Sequence, residues 1–217
     1  MIDGIFAINK PKGPTSNRVL QEIKKFTGAE KIGHAGTLDP LASGVLIIGI
    51  GQATKKLSDI VKDEKEYIAE IKLGEKSVTD DEEGIKQQLT IDRKPTIDEI
   101  ENSIQGFVGK IEQIPPIYSA IKIQGKEAYK LARKGEFPEM EKRSVEIKEI
   151  KLLNYEWPIL EIKAVTGPGT YIRSLARDIG ESLGVGGYLA NLKRTRVGKF
   201  TIDKALNPED LISYAKK

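Results

Sequence analysis

The segment GHAGTLDPLASGVLIIGIGQATK, residues 33–55, organises the rest of the chain. It holds the sole histidine of the sequence, His34, and one carboxylate, Asp39, in a loop bounded by glycine and proline. An apolar run follows at residues 45–50 and predicts a buried strand behind the loop. Because Asp39 precedes a proline, its backbone is biased toward an extended conformation, and the neighbouring glycines permit tight turns. The segment therefore predicts a carboxylate held on a constrained loop next to a strand.

The loop leaves more than one role open for its two ionisable residues. Asp39 has no partner carboxylate for paired acid–base hydrolysis, so it suits a nucleophile or a charge-stabilising group. The alternative is a turn cap, which is a common use of Asp before Pro. His34 is either a general base or a surface residue that stacks or hydrogen-bonds, and the absence of an evident partner favours the surface role. The glycine spacing fits neither a P-loop nor a dinucleotide fingerprint, so we expect no nucleotide cofactor.

Composition narrows the class of protein. The chain has 217 residues, 39% hydrophobic and 31% charged, which suits one large domain with a sizeable core. It has no cysteine and one histidine, and no carboxylate cluster shows metal-ligand spacing, so we expect no metal and no small-molecule cofactor. With no signal-peptide pattern and no apolar run of membrane-spanning length, we expect a cytoplasmic protein without a membrane partner.

Charge is unevenly distributed along the chain. Residues 63–101 contain 13 acids and 6 bases, whereas residues 163–199 contain 7 bases and 2 acids. A chain polarised in this way can present a basic face to a polyanion, although an ordinary solvated surface explains the charges equally well.

Hydrophobic periodicity and capping residues predict an α+β fold around a largely antiparallel sheet. Strands are predicted at residues 4–9, 45–50, 65–73, 144–155 and 159–166. Helices are predicted after the caps Thr15 or Ser16, Thr54, Thr96, Thr170 and Asn207, with Gly28 ending the first and a short basic helix within residues 125–135. The helix after Thr170 places Arg173 and Arg177 together, away from its apolar stripe.

Several motifs together resemble the TruB-type tRNA pseudouridine synthases. Residues 33–55 are similar to the signature of that family. The other matching pieces are INKPKGPTS at residues 8–16, KEY at 65–67 followed by Leu73-Gly74, IPPIYSAIKIQG at 114–125, GTYIRSL at 169–175 and LKRTRVG at 192–198. They occur in the family's order from about residue 4 to residue 200, so the chain is identified as a member of this family.

The resemblance implies both a fold and a reaction. The fold would be that of pseudouridine synthases, a mixed, largely antiparallel central sheet flanked by helices, with the active-site cleft across the sheet. The reaction would be the isomerisation of a flipped-out T-loop uridine, uridine 55 of tRNA, to pseudouridine without cofactor or metal. A non-catalytic tRNA-binding or tRNA-folding module using the same cleft remains the alternative. A glycoside-type hydrolase is disfavoured because a second well-placed carboxylate is missing.

The resemblance also implies roles for individual residues. Asp39 would attack the base or the sugar, or stabilise the separated pair. Tyr67 would stack on the target base and is a candidate proton acceptor, and Arg173 would pair with the aspartate. Substrate contacts are implied for Lys10, His34, Tyr171, Leu192, Lys122, Arg194 and Arg196, with His34 entering the space that the flipped base leaves. Lys193 and Lys199 would join the two arginines at RNA phosphates. Val78 replaces a commonly polar residue, which weakens any role for Asp81 in a catalytic network.

We expect a single catalytic domain over residues 1–217, with an RNA-contacting arm at about residues 115–143. Bacterial relatives usually carry a small C-terminal RNA-binding domain, and no separate one is expected here. The expected partner is the T-arm stem-loop of tRNA, bound by a monomer.

Overall fold

A computed structural model describes residues 2–215, and within them there are thirteen strands and six α-helices. The strands are β1 (Gly4–Lys10), β2 (Ile32–Ala35), β3 (Ala42–Ile50), β4 (Lys65–Leu73), β5 (Glu75–Ser77), β6 (Lys86–Gln88), β7 (Gly109–Gln113), β8 (Lys122–Ile123), β9 (Lys126–Glu127), β10 (Arg143–Glu156), β11 (Ile159–Thr166), β12 (Gly187–Val197) and β13 (Phe200–Thr201). The helices are α1 (Ser16–Thr27), α2 (Leu57–Ile60), α3 (Ile97–Gln105), α4 (Ala128–Ala132), α5 (Ile172–Ser182) and α6 (Pro208–Ala215).

The main sheet is mixed and largely antiparallel. Its strands follow the order β1-β3-β12-β4-β11-β10-β7, with β2 paired to β3 and β13 paired to β12. Strand β3 pairs antiparallel with β1 and β2, and parallel with β12. This arrangement confirms the predicted α+β class. None of the helices in the described part of the chain is long and apolar enough to cross a membrane.

The chain divides into two compact units. Among the described residues the first unit comprises 2–68, 165–168 and 192–215, and the second comprises 69–164 and 169–191. Strands β4, β11 and β12 contribute residues to both.

The first unit has β3 at its centre. Eight of the nine residues of β3 are buried, as expected for a strand with neighbours along both edges and packing on both faces. Val45 and Ile47 form a cluster with Leu57 and Val197. On helix α1, the side chains of Val19, Leu20 and Ile23 are also buried. The loop that carries Asp39 leads directly into this strand, so it is attached to the best-buried part of the unit.

The second unit is built around β10, β7 and helices α3 and α5. Helix α5 buries Leu175, Ala176 and Ile179. Its Gly180 lies so close to the backbone of Gly186 and Gly187 that an added Cβ would be 2.3 Å from it. The helix therefore packs tightly against the chain that enters β12, which limits its freedom to shift.

The helix ends test the predicted caps. Thr15 caps α1, Gly28 ends it in the left-handed conformation, and Thr96 forms a complete capping box with Glu99, so these predictions are confirmed. The prediction for Thr54 is wrong, because Thr54 lies inside a 3-10 helix (Gly51–Lys56) and its hydroxyl donates to the Gly51 carbonyl. The prediction for Thr170 is also wrong, since α5 is preceded by Tyr171 with no side-chain cap.

One glycine fixes the distance between β3 and β12. Gly44 has φ +103°, and a Cβ there would lie 2.2 Å from the Arg194 carbonyl oxygen, in the register where these two residues are partners. We expect Gly44→Ala to lower the free energy of unfolding by about 2–3 kcal/mol more than Gly13→Ala does. Gly13 is a matched control, with φ +112° and no atom within 4 Å of its added Cβ. Chemical denaturation of both variants measures the difference, and equal losses would contradict the close approach.

Candidate active site

Hydrogen bonds to backbone groups hold the loop on both sides of Asp39. The Ser16 hydroxyl, 1% exposed, donates to the Leu38 carbonyl at 2.8 Å and accepts from the Leu38 N–H at 2.9 Å. The Gly13 N–H donates to the Pro40 carbonyl at 2.8 Å. The residues immediately before and after Asp39 are thus bound to Ser16, the first residue of α1, and to Gly13 in the turn before it. A carboxylate placed this way is preorganised, because little of its backbone remains free to move.

A buried arginine connects the two ends of the same loop. Arg194 is 2% exposed, and its Nε donates to the Val45 carbonyl at 2.7 Å while its Nη2 donates to the Gly36 carbonyl at 3.0 Å. These carbonyls lie before and after the segment containing Asp39. The guanidinium of Arg194 is directed to backbone oxygens inside the first unit, and the predicted phosphate contact by Arg194 stays a prediction. Its role in this structure is to shape the loop.

Lys10 lies in the same environment and is fully buried. Its ammonium donates to the carbonyls of Pro11 and Pro14, each at 2.8 Å. The pKa of Lys10 is lowered to about 8, because burial lowers it more than the nearby carboxylate of Asp39 raises it, and the positive charge of Arg194 adds to the lowering. The two cations and Asp39 are therefore close enough to influence each other electrostatically. Lys10 therefore holds the turn at residues 11–14, and its predicted contact with the substrate stays a prediction.

His34 lies on β2 and is partly buried. Its Nδ1 is buried without a hydrogen-bond partner among the described residues. Burial lowers the pKa of His34, and the positive charge of Arg194 lowers it further. The imidazole is therefore neutral at pH 7, which suits stacking against a base.

Tyr67 and Leu192 occupy neighbouring strands of the sheet. Tyr67 is buried on β4, whose inward side chains alternate as predicted from the sequence. Leu192 is buried on β12, where it is the register partner of Ala42. Both side chains therefore contribute apolar surface rather than exposed polar groups.

The other bases of residues 193–199 differ in exposure. Lys193 and Lys199 are exposed. Arg196 is half-buried, and its Nη1 lies 2.7 Å from the Glu64 carboxylate and donates to the Gly198 carbonyl at 3.1 Å. A phosphate contact by Arg196 would therefore compete with Glu64, whereas the two lysines face solvent.

In the second unit, Arg173 bonds to two separate segments. Its Nη1 lies 3.4 Å from the Asp81 carboxylate, and its Nη2 donates to the Tyr118 carbonyl at 3.0 Å. Asp81 also accepts from the Glu83 N–H at 3.0 Å and from the Thr79 hydroxyl. Asp81, whose role was doubtful from the sequence, is thus a direct partner of Arg173. The pairing of Arg173 with Asp39 stays a prediction.

Arg177, one turn later on α5, repeats this pattern. Its Nη1 donates to the Asp80 carboxylate at 2.8 Å and its Nη2 donates to the Ile114 carbonyl at 2.9 Å. Burial raises the pKa of Asp80, although the positive charges of Arg177 and Arg173 oppose the shift. The arginines of α5 therefore hold the turn that carries Asp80 and Asp81 and the chain that leads to the arm.

Two other residues of the predicted site, Tyr171 and Lys122, also belong to the second unit. Tyr171 precedes α5, and both of its backbone groups bond to Gln113. Lys122 is exposed on the β8–β9 hairpin of the arm. Sequence reasoning considered Ser16 only as a helix cap and did not consider Gln113. The signal for Ser16 is its position inside the motif at residues 8–16, and the signal for Gln113 is its position directly before the motif at residues 114–125.

Lys10 makes a pH-dependent contribution to stability. Its pKa is about 8 in the folded protein and 10.5 in the unfolded chain, so the unfolded state binds more protons between these values. Lys10 should therefore make the free energy of unfolding rise with pH across that window, by about 3 kcal/mol at most. We expect the free energy of unfolding of the wild type to rise relative to that of Lys10→Met as the pH increases from 8 to 10.5. Denaturant unfolding at several pH values measures it, and a constant difference would contradict it.

Comparison with known families places the chain among tRNA-modifying enzymes. The profile of the TruB family pseudouridylate synthase (N terminal domain) matches residues 24–172. That of the tRNA pseudouridylate synthase B C-terminal domain matches residues 173–217, beginning inside α5. The prediction of one catalytic domain without a separate C-terminal domain stays a prediction.

Curated relatives agree along nearly the whole chain. The tRNA pseudouridine synthase B of Parabacteroides distasonis is 45% identical over 97% of this chain and 87% of its own length. That of Francisella philomiragia is 44% identical over 100% of this chain and 72% of its own length. That of Thermobifida fusca is 40% identical over 97% and 75% respectively.

Solved structures support the fold. A Cbf5-Nop10-Gar1 complex contains a chain with TM-score 0.77 and 32% identity, covering 97% of this chain and 54% of its own length. A chain in an H/ACA RNP bound to a substrate RNA containing 2′-deoxyuridine has TM-score 0.73 and 30% identity, with 97% and 53% coverage. The present chain spans about half the length of these solved chains. The predicted pseudouridine synthase fold is confirmed, and the chain belongs to the TruB family of pseudouridylate synthases.

Proposed function

We propose that this chain isomerises a uridine of tRNA to pseudouridine, with uridine 55 of the T loop as its target. The family assignment supplies the reaction class. The observation that carries the proposal for this chain is the constrained loop, in which a single carboxylate, Asp39, is held between bonded neighbours and lies near Lys10 and Arg194. We propose that the enzyme acts as a monomer.

The reaction needs only groups that this chain supplies. The bond between N1 of uracil and C1′ of ribose breaks, the base turns, C5 bonds to C1′, and the proton lost from C5 is balanced by one gained at N1. No electron donor or acceptor is required. Asp39 acts as a nucleophile or stabilises the positive charge that develops on the sugar. Tyr67 stacks on the uracil and is the candidate acceptor of the C5 proton.

An arginine placed beside a buried carboxylate keeps that carboxylate ionised. A guanidinium that hydrogen-bonds a carboxylate favours the charged form and opposes the desolvation that would protonate it. Arg173 already uses this chemistry with Asp81. We propose that it pairs with Asp39 in the reacting complex.

The arm provides the surface for the nucleic acid. All seven of its bases are exposed: Lys122, Lys126, Lys130, Arg133, Lys134, Lys142 and Arg143. Lys130 and Arg133 also lie over the ring of Tyr129, at 5.8 and 5.4 Å from its centroid. Exposed cations around an aromatic ring suit a folded RNA, whose phosphates and splayed bases are both accessible. The T-arm stem-loop is the proposed partner. Flipping the uridine out of its stack costs a few kcal/mol, and His34 compensates by filling the gap that the base leaves.

Replacing Asp39 by Asn tests the centre of the proposal. We expect pseudouridine formation to fall by about 1000-fold or more, because the amide cannot act as a nucleophile or carry negative charge. Binding of tRNA should change by less than about threefold. The assay incubates unmodified T-arm stem-loop or whole tRNA with enzyme and detects pseudouridine by mass-sensitive labelling of nucleosides.

The matched control for this variant is Asp59→Asn, which changes an exposed carboxylate in the same unit. It should retain wild-type turnover. Normal turnover by Asp39→Asn would refute the role of Asp39. A wild type that binds tRNA and forms no pseudouridine on either RNA would refute the enzyme and favour a binding or folding module.

The exposed bases of the arm predict salt-dependent binding. The double variant Lys122→Gln/Lys126→Gln should bind tRNA more weakly, and the slope of log K against log salt should be shallower by about 1.5, since each lost phosphate contact removes roughly 0.7–0.9. Titrations from 50 to 200 mM salt measure the slope. The control is Lys76→Gln/Lys151→Gln, which removes two surface lysines paired with carboxylates in the same unit. An equal change of slope in both double variants would contradict a specific role of the arm.

A further inference from the structure

Gln113 lies at the root of the arm. It is the last residue of β7, it is 1% exposed, and its register partner is Arg143, the first residue of β10. The chain therefore leaves the sheet just after Gln113 and returns opposite it. Any rotation of the arm as a body must be absorbed next to this pair.

The amide of Gln113 reaches across to Tyr171, 58 residues away in sequence. The Tyr171 N–H donates to its Oε1 at 2.8 Å, and its Nε2 donates to the Tyr171 carbonyl at 3.1 Å. A backbone N–H can only donate and a carbonyl can only accept, so one orientation of the amide satisfies both bonds. The side-chain amide of Gln113 thus makes the two hydrogen bonds to Tyr171 that the backbone of a neighbouring β-strand would make.

This pair determines how α5 begins. Tyr171 is extended, with φ −100° and ψ 113°, and no side chain caps the helix. Its carbonyl also accepts the first helical bond, from the Leu175 N–H at 3.0 Å. Because both backbone groups of Tyr171 are bonded, the direction in which its ring leaves the backbone is set. Arg173 follows two residues later on the first turn.

Helix α5 bonds to the residues after Gln113 as well. The Ser174 hydroxyl donates to the Ile114 carbonyl at 2.8 Å, and Arg177 donates to the same carbonyl. Arg173 donates to the Tyr118 carbonyl. Residues 113–118 and the start of α5 are therefore joined at three positions, with the glutamine pair at the end nearest the sheet.

We infer that Gln113 is a positioning residue for the isomerisation, a role that rests on the proposed function. Its two hydrogen bonds fix the backbone conformation of Tyr171. Through the first turn of α5 they also fix the position of Arg173, and they connect both residues to the root of the arm. Without the amide, Tyr171 and the start of α5 sample other conformations, so fewer bound substrates reach the reactive geometry. The contact with RNA is made elsewhere on the arm, so binding is largely retained.

The test is Gln113→Met, which keeps the length of the side chain and removes both hydrogen bonds. We expect the single-turnover rate of pseudouridine formation on whole tRNA to fall by about 30-fold, with Kd for tRNA within about threefold of the wild type. The matched control is Gln105→Met, which removes another glutamine bond in the same unit, from Nε2 to the Ile150 carbonyl at 3.2 Å. This control should keep the wild-type rate.

A second variant covers the case in which Gln113→Met does not fold. Gln113→Asn is polar but one methylene shorter, so it cannot reach both groups of Tyr171, and it should also lower the rate with little change in Kd. Thermal unfolding of each variant identifies those that are folded at the assay temperature. Equal rates for the wild type and the folded Gln113 variants would overturn the assignment, as would a loss seen only in Kd. A wild type that forms no pseudouridine would instead overturn the proposed function, and the assignment with it.

Discussion

The buried guanidinium of Arg194 is the interaction on which the rest of the first unit depends. It is removed from water and compensated by carbonyls on both sides of the segment that carries Asp39. Removing a charge from water is costly unless it is hydrogen-bonded, so these carbonyls must stay where they are. Burial lowers the pKa values of Lys10 and His34, and the charge of Arg194 adds to both shifts. One side chain therefore sets both the shape of the loop and the electrostatic potential around it.

Both units use arginine, serine or glutamine side chains to bond backbone groups, in addition to the ion pairs that some of the arginines make. In the first unit Ser16 binds both backbone groups of Leu38. In the second unit Gln113 does the same for Tyr171, and Arg173 and Arg177 bond carbonyls of the segment that leads to the arm. Bonds to backbone hold irregular segments that no strand ladder can hold. Loops positioned in this way can carry reactive groups with the precision of a sheet.

Sequence patterns predicted the regular elements well and the interior polar groups poorly. Alternation identified β4, and the capping residues identified both ends of α1 and the start of α3. The sequence placed the cap of α5 at the wrong residue, because a threonine before a helix looks like an N-cap in the sequence whether or not it supplies the capping hydrogen bond. The resemblance implied that Arg194 contacts RNA phosphates, because a sequence does not show that two backbone carbonyls lie within reach of its guanidinium. The motifs led to Asp39, but its supports emerged only from the structure.

The pairing of Gln113 with Arg143 has a consequence for how such proteins diversify. Residues paired across an antiparallel ladder have their Cα atoms about 5 Å apart, so the excursion between them starts and ends at nearly one point. The entropy of closing such an excursion depends only weakly on its length. Residues can be added to it or removed from it without changing the register of β7 with β10. The segment between Gln113 and Arg143 can thus vary in size and charge over generations while the sheet that anchors it stays the same.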